Sequence, residues 1–217
     1  MSYKKIWSLV LFIVVTDSVV FAQNDPQAKA ILNGVSKKYR SFNVVKIEFS
    51  FNLKSPQANV NETQNGTLYV KPASNKYKVN LDEQELISDG KVQWTYLKKD
   101  HEVQIAAINN STDAMNPAKI FTLYEKGFKY VYLGDTKLKG KTYQNIELAP
   151  LQNRPYSKVK LKIDKLAKQI VNIVVFDKNG NTYTYNVKSF IPNVKINDSF
   201  FSFDASKHPG VDVVDLR

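Results

Sequence analysis

The sequence contains no cysteine and only two histidines among its 217 residues. Without cysteine there can be no disulfide framework, no lipid-modified N-terminal cysteine, no thiol catalysis and no thiolate metal site. The histidines, His101 and His208, have no histidine partner at the spacing of a metal-binding pair. A Gly-x-Ser-x-Gly nucleophile elbow and a glycine-rich phosphate loop are also missing. We therefore expect no catalytic residue, no metal and no cofactor.

The sequence also contains few acidic residues. It has 20 aspartates and glutamates against 31 lysines and arginines, which gives a formal net charge of +11. An excess of positive charge can attract nucleic acid or anionic lipid headgroups, or can simply be a solvated face. The lysines in "KVKLKIDK" (158–165) alternate with apolar residues, which puts apolar side chains and charges on opposite faces of a strand, and aromatic residues elsewhere alternate with lysines in the same way. That separation and the export predicted below argue against a nucleic-acid partner.

Carboxylates remain as potential acids and bases. The segment "LDEQE" (81–85) contains Asp82, Glu83 and Glu85, which leaves an exported hydrolase open as one hypothesis. The same three residues are also typical of a solvated turn between two strands.

Only one long apolar run occurs, from Ile6 to Val15, and it is shorter than a bilayer-spanning helix requires. Lys4 and Lys5 precede this run, and Ala22 offers a small residue for cleavage. We predict that residues 1–22 are a cleaved signal peptide. Residues 23–217 would then form one exported, soluble domain.

A helix is predicted to open this domain, because apolar residues recur at helical spacing in residues 24–42, with Pro26 in the first turn and Asn24 or Asp25 as cap. Period-two alternation then takes over, which is typical of strands. We count about eleven strands with short connections, which favours antiparallel neighbours in one curved sheet or barrel. The clearest segments are "VKIEFSFNL" (45–53), "GTLYV" (66–70), "KYKVNL" (76–81), "ELIS" (85–88), "KVQWTYL" (91–97), "EVQIA" (102–106), "FKYVYL" (128–133), "YQNIEL" (143–148), "KVKLKID" (158–164), "QIVNIVVF" (169–176) and "NTYTYNVKSF" (181–190).

A helical interruption is predicted between the two halves, at residues 107–127, with Pro117 at its start and Gly127 as its C-cap. Its apolar residues Ile120, Phe121 and Tyr124 could cap a barrel mouth or form a lid.

One apolar face is predicted to run through consecutive strands. A small barrel fills such a face with its own side chains, whereas a wider one leaves room for a ligand. The face would comprise Val45, Ile47, Phe49, Phe51, Leu68, Val70, Tyr77, Val79, Leu81, Trp94 and Tyr96, together with Val92, Val103 and Ile105.

Two long segments resemble the outer-membrane lipoprotein carrier family (LolA). The first is "GTLYVKPASNKYKVNL" (66–81) with "QELISDGKVQWTYLKKDHEV" (84–103), and the second is "VVFDKNGNTYTYNVKSFIPNVKINDSFFSFDASKHPGVDVVDLR" (174–217). The resemblance implies an unclosed antiparallel β-barrel covered by the N-terminal helix and a short helical lid. It also implies a periplasmic monomer whose apolar cavity, lined by the residues of the predicted face, accepts lipoprotein acyl chains. The implied partners are acylated lipoproteins or lipids, an inner-membrane release complex and an outer-membrane acceptor.

The resemblance departs at one position. The family places an arginine before the strand-ending proline, where it holds the closed lid, and this sequence has Lys71 before Pro72. Lys71 is therefore the candidate lid latch, with a point charge in place of a planar fork. A lipid-binding, glycolipid-binding or lipoprotein-sensing module of the same fold remains the alternative function.

Overall fold

A computed structural model describes residues 25–108 and 122–217 of the chain. The predicted signal peptide lies outside these residues. The predicted helix is confirmed as α1, Pro26–Arg40. Asp25 caps it by accepting hydrogen bonds from the backbone N–H of Gln27 at 2.8 Å and of Ala28 at 3.2 Å. The other carboxylate oxygen of Asp25 accepts a hydrogen bond from the Tyr132 backbone N–H at 3.0 Å, which ties the start of the helix to a strand.

Twelve strands occur among the described residues, and every predicted strand segment overlaps one of them. They are β1 (Val45–Ser55), β2 (Val60–Lys71), β3 (Lys76–Asn80), β4 (Gln84–Ser88), β5 (Val92–Leu97), β6 (Glu102–Ala107), β7 (Phe128–Leu138), β8 (Lys141–Pro150), β9 (Tyr156–Asp164), β10 (Gln169–Asp177), β11 (Thr182–Pro192) and β12 (Asp212–Asp215).

The strands form a single sheet in the order β12-β6-β5-β4-β3-β2-β1-β11-β10-β9-β8-β7. Two meanders meet at its centre, where β1 pairs with β11. All pairs are antiparallel except β12 with β6, which is parallel and joins the end of the chain to the sheet. β12 and β7 are the two edges and do not pair, so the sheet is an unclosed barrel, as the resemblance implied.

Alternation along the strands gives the sheet two faces. The face that packs with α1 is called the inner face, because the helix residues Leu32, Val35 and Tyr39 share one hydrophobic core with inward side chains from both meanders. A cavity of only about 10 Å³ remains where the end of α1 meets Ile170 and Phe190, so this region is close-packed.

The opposite, outer face is covered in part by residues 193–211, which follow β11 and lead to β12. Two short 3₁₀ helices occur here, Asp198–Phe201 and Ala205–Lys207, and Phe201 is fully buried. Within the described ranges, no helix has the length and hydrophobicity needed to cross a bilayer.

Candidate functional site

Six of the predicted cavity residues lie in the close-packed core of the inner face. They are buried alongside the α1 side chains and leave no surface to a ligand in this structure. This set comprises Val45, Ile47, Leu68, Val70, Tyr77 and Val79.

Farther along the same strands, the inner face carries rings that are only partly buried. Phe51 stacks on Tyr183 with the ring centroids 6.2 Å apart and the planes 12° apart, and its centroid lies 4.9 Å from that of Tyr185. Phe49 lies 6.5 Å from Tyr185 on the next row. These rings are held together because Phe51 is directly opposite Tyr185 in the β1–β11 ladder, and Leu53 is opposite Tyr183.

Leu81 completes this group. The side chain of Phe49 in β1 and that of Leu81, just after β3, approach each other across Gly66. Gly66 lies opposite Phe49 in the β1–β2 ladder. A Cβ at Gly66 would lie 2.6 Å from Phe49 Cζ and 2.8 Å from Leu81 Cδ2, so only glycine leaves both side chains where they are. We call Phe49, Phe51, Leu81, Tyr183 and Tyr185 the aromatic surface.

A cleft opens beside the aromatic surface, where β2 and β3 separate beyond their last pair, Thr67 with Asn80. Phe49, Gly66 and Leu81 line it, together with Lys98 and Lys188. Lys188 donates a hydrogen bond to Asn65 and Lys98 donates one to the Leu81 carbonyl, both at 2.6 Å. Glu48 and Asp82 also line the cleft, so it joins an apolar base to polar walls that carry charges of both signs.

The surroundings of Tyr185 are apolar enough to change its ionisation. Burial raises the pKa of Tyr185 to about 12, and the neighbouring phenol of Tyr183 adds to the effect. The raised pKa of Tyr185 indicates an apolar environment, which suits contact with hydrocarbon.

Trp94 and Tyr96 do not lie on the inner face, and the prediction that they share it is corrected. In the β4–β5 ladder Trp94 is opposite Ile87, and Ile87 is opposite Lys78 in the β3–β4 ladder. Lys78 alternates with the inward Tyr77 and Val79, so this row faces outward. Val92, Val103 and Ile105 belong to the same outer face.

The outer aromatic residues have a structural partner instead. The Tyr96 ring lies 5.5 Å from Phe203 and 4.6 Å from His208, and its hydroxyl is 3.2 Å from Nδ1 of His101. His101 Nε2 in turn lies 3.1 Å from the Pro209 carbonyl oxygen. Both histidines of the chain therefore help to seat the C-terminal residues on the sheet.

Lys71 is also on the outer face, because it follows the inward Val70 at the end of β2. Its Nζ makes a 2.7 Å ion pair with Asp198, which Lys76 also contacts at 2.9 Å. These two lysines lower the pKa of Asp198 to about 2. Lys71 thus contacts the C-terminal segment. Most of the predicted lid lies outside the described residues, so its role as a lid latch stays a prediction.

Ile120 and Phe121 of the predicted lid lie outside the described residues, whereas Tyr124 lies within them. Tyr124 is buried in a short 3₁₀ helix, Leu123–Glu125. Its hydroxyl accepts a hydrogen bond from Ser36 Oγ at 2.9 Å, and Arg40 forms an ion pair with Glu125. This end of the segment is therefore fixed to α1.

The carboxylates of residues 81–85 do not form a catalytic pair. Asp82 and Glu83 are exposed in the turn after β3, and Glu85 forms a 2.8 Å ion pair with Lys78 on the outer face. Among the described residues, no group of three histidine, aspartate or glutamate side chains could hold a metal ion.

Tyr183 and Tyr185 were absent from the predicted cavity, although their strand was predicted. The available signal was the period-two pattern of Tyr183, Tyr185 and Val187, which matches that of Phe49 and Phe51. The sequence could not predict that β11 pairs with β1, which lies more than 120 residues away in the chain.

Several solved structures are similar to this chain at low sequence identity. The crystal structure of an uncharacterized conserved protein from Thermus thermophilus superposes with a TM-score of 0.59 at 13% identity, covering 87% of this chain and 99% of that one. A LolA superfamily protein from Nitrosomonas europaea gives a TM-score of 0.47 at 11% identity, covering 82% and 98%. The lipoprotein LppX of Mycobacterium tuberculosis gives 0.46 at 9% identity, covering 80% and 99%.

A search of curated proteins found no significant match to this chain. The family model described as outer membrane lipoprotein carrier protein LolA, however, matches residues 40–204, which is well over half of the sequence. The match spans the sheet from β1 to β11, including the aromatic surface and the Gly66 position. The chain therefore belongs to the LolA family of outer membrane lipoprotein carrier proteins.

Proposed function

We propose that this protein is a periplasmic carrier that binds the acyl chains of lipoproteins on its inner face and shuttles them from the inner to the outer membrane. The observation that carries the proposal is the aromatic surface. It places partly buried rings of β1 and β11 on the face that elsewhere forms the hydrophobic core.

The energetics explain why a carrier is needed. Each CH₂ group moved from water to an apolar surface gains about 0.8 kcal/mol, so an acyl chain of roughly 16 carbons gains on the order of 10 kcal/mol when fully covered. A lipoprotein cannot cross an aqueous compartment with such a chain exposed. It must be covered during transit and released at the end.

The aromatic surface is suited to reversible covering. Its rings pack on one another at centroid distances of 4.9 to 6.5 Å, and they remain partly exposed rather than fully enclosed. Contact with hydrocarbon would bury the remaining ring area without requiring any new hydrogen bond. The neighbouring cleft, whose polar walls carry Lys98, Lys188, Glu48 and Asp82, would accommodate the polar head of the cargo.

Release and delivery would need an inner-membrane complex that loads the carrier and an outer-membrane acceptor that unloads it. If the acyl site exists and neither partner does, the protein would instead be a lipid-binding, glycolipid-binding or lipoprotein-sensing module of the same fold.

A binding assay with a fluorescent diacylglyceryl lipopeptide tests the acyl site. Phe51→Glu places a charge among the rings and should weaken binding at least about tenfold. Ser50→Glu is the matched control, since it adds the same charge to the adjacent residue on the outer face and should leave binding unchanged. A wild-type protein that does not bind the lipopeptide, or two variants that behave alike, would refute the site.

The shuttle itself is tested by transfer. Protein loaded with an acylated lipoprotein is mixed with outer-membrane vesicles, and the lipoprotein recovered in the vesicles is measured. Transfer by the wild type, reduced for Phe51→Glu and normal for Ser50→Glu, is expected. Binding without transfer would support the lipid-binding alternative.

A further inference from the structure

Two neighbouring hairpin tips at one end of the sheet carry exposed leucines. Leu166 lies in the turn between β9 and β10 and is 95% exposed, and Leu138 lies beside the turn between β7 and β8 and is 56% exposed. The tips adjoin each other, because the Lys165 backbone N–H donates to the Thr142 carbonyl at 3.0 Å.

The tip around Leu166 is a defined structure. Asp164 Oδ1 accepts a hydrogen bond from the Ala167 backbone N–H at 2.9 Å, and Lys38 of α1 donates to the Ala167 carbonyl at 2.6 Å. The turn therefore holds Leu166 at its outermost position, where turns ordinarily carry glycine, asparagine, aspartate or serine.

The second tip is equally well formed. Lys139 and Gly140, the two residues between β7 and β8, have φ of 49° and 77°, as in the tight turns that fit the twist of a hairpin. Leu138 immediately precedes this turn and pairs with Lys141.

Lysines surround both leucines. The two tips contain five lysines and two aspartates, namely Lys137, Lys139, Lys141, Lys165, Lys168, Asp135 and Asp164. Lys165 pairs with Asp135 at 2.9 Å and Lys141 with Asp164 at 3.6 Å, whereas Lys139 and Lys168 form no ion pair with any residue that the structure describes. The excess charge of these two tips is positive.

The connections at the other end of the sheet differ. The one between β8 and β9, residues 151–155, has an exposed leucine, Leu151, but its own cation, Arg154, is buried. A single lysine, Lys178, reaches it by a hydrogen bond to Asn153. In the other hairpin turns there, Leu81 belongs to the aromatic surface and the remaining residues are polar, small or proline. These turns are "PQAN" (56–59), "LDE" (81–83), "KKDH" (98–101) and "KNGN" (178–181).

The combination of apolar tips and surplus lysines therefore belongs to one end of the molecule. A peripheral protein binds an anionic bilayer when its apolar side chains enter the membrane interface and surrounding cationic side chains contact the headgroups.

We infer that the β7–β8 and β9–β10 tips form a docking surface for an anionic phospholipid bilayer, with Leu138 and Leu166 entering the interface and Lys139 and Lys168 contacting headgroup phosphates. This surface is separate from the aromatic surface. Its test uses vesicles without lipoprotein, so either inference can fail without the other.

Sedimentation with vesicles of phosphatidylethanolamine and phosphatidylglycerol, compared with vesicles of phosphatidylcholine alone, measures docking. The full chain should bind the anionic vesicles, and binding should fall as salt is raised. Leu138→Gln with Leu166→Gln should weaken binding at least about tenfold, because two apolar side chains are lost from the interface. Lys139→Gln with Lys168→Gln should weaken it by about fivefold or more.

Matched controls come from the opposite end of the sheet. Leu151 is 57% exposed, so Leu151→Gln removes a leucine as exposed as Leu138. Lys99→Gln with Lys178→Gln removes two exposed lysines. Both controls should bind as the wild type does, and any contribution from the N-terminal apolar run is common to all variants.

The lack of native cysteine permits a second measurement that does not depend on loss of binding. Leu166→Cys and Leu151→Cys are each labelled with an environment-sensitive dye. The dye at position 166 should shift to the blue on anionic vesicles, and the dye at position 151 should not. Failure of the wild type to bind anionic vesicles, unchanged binding of both tip variants, or equal responses of the two dyes would overturn the inference.

Discussion

The ring of Phe49 packs directly against the main chain of Gly66, its partner across the β1–β2 ladder. Gly66→Ala would force Phe49 and Leu81 to shift, so we expect it to lower the free energy of unfolding by about 1–3 kcal/mol in urea denaturation. It should also weaken acyl-chain binding.

Gly34, in α1, provides the control for the Gly66→Ala substitution. A Cβ at Gly34 would meet nothing closer than Lys168 Cδ at 3.8 Å, so Gly34→Ala should stabilise the protein by about 0.5–1 kcal/mol through helix propensity. Equal effects of the two substitutions would contradict the packing of Phe49 on Gly66.

Gly90 combines a left-handed conformation with a close backbone neighbour. Its φ is 94°, and a Cβ would lie 2.5 Å from the Ser74 carbonyl oxygen. Gly180 has a similar φ of 83° and nothing within 4 Å. Gly180→Ala should therefore cost about 1–2 kcal/mol of unfolding free energy, and Gly90→Ala at least about 3 kcal/mol. Thermal and urea unfolding of the two variants would measure the difference, and a smaller cost at Gly90 would speak against this turn.

The hydrogen bond between Ser36 and Tyr124 should be measurable by a double-mutant cycle. Ser36→Ala and Tyr124→Phe each remove one partner of a buried pair, so together they should cost less than the sum of the single changes, with a coupling of about 1 kcal/mol. Urea unfolding of the four proteins gives this value. A coupling near zero would mean that the residues after Thr122 are not anchored to α1 in this way.

Attachment of the C-terminal segment should weaken in acid. The pKa of Asp198 is held at about 2 by Lys71 and Lys76, below its ordinary value of 3.8. A lowered folded-state pKa contributes stability that is present above pH 3.8 and is lost as the pH falls toward about 2. The protection of the amides in residues 197–211 against hydrogen exchange, corrected for the intrinsic exchange rate at each pH, should therefore fall in that range.

Two variants separate this effect from general acid unfolding. Asp198→Asn should reduce the pH dependence of protection in the segment, whereas Asp82→Asn, at an exposed turn, should keep it. Lys71→Gln should loosen the same C-terminal residues and leave residues 122–127 protected. Loosening of residues 122–127 by Lys71→Gln would support the predicted role of Lys71 as a lid latch.

Tyr185 should make the fold sensitive to alkali. Because its folded-state pKa is about 12 and its ordinary value is 10.0, the folded state retains the phenol proton longer than the unfolded state does. The free energy of unfolding should thus fall between those two pH values. Tyr185→Phe should reduce the slope in urea titrations, and an unchanged slope would contradict the burial of this hydroxyl.

Much of this fold could be predicted from the sequence by local physical chemistry. Pro26 and Asp25 indicate the start of α1, because proline fits the first helical turn and a carboxylate caps the free N–H groups. The alternation in "VKIEFSFNL" (45–53) identified β1 and correctly grouped Phe49 and Phe51 on one face. The turn residues between strands gave the order of the meanders, and the two long motif segments pointed to the LolA family.

The sequence by itself determined which residues of each strand share a face, since side chains alternate with period two whatever the partner. It could not determine which of the two faces is the inner one, because a shift of one residue in register moves every side chain of a strand to the other side. Only the tertiary structure decided that Trp94 and Tyr96 face outward beneath the C-terminal segment. Only the long-range pairing of β1 with β11 brought Tyr183 and Tyr185 to Phe51, because no local pattern encodes contacts between strands so far apart in the chain.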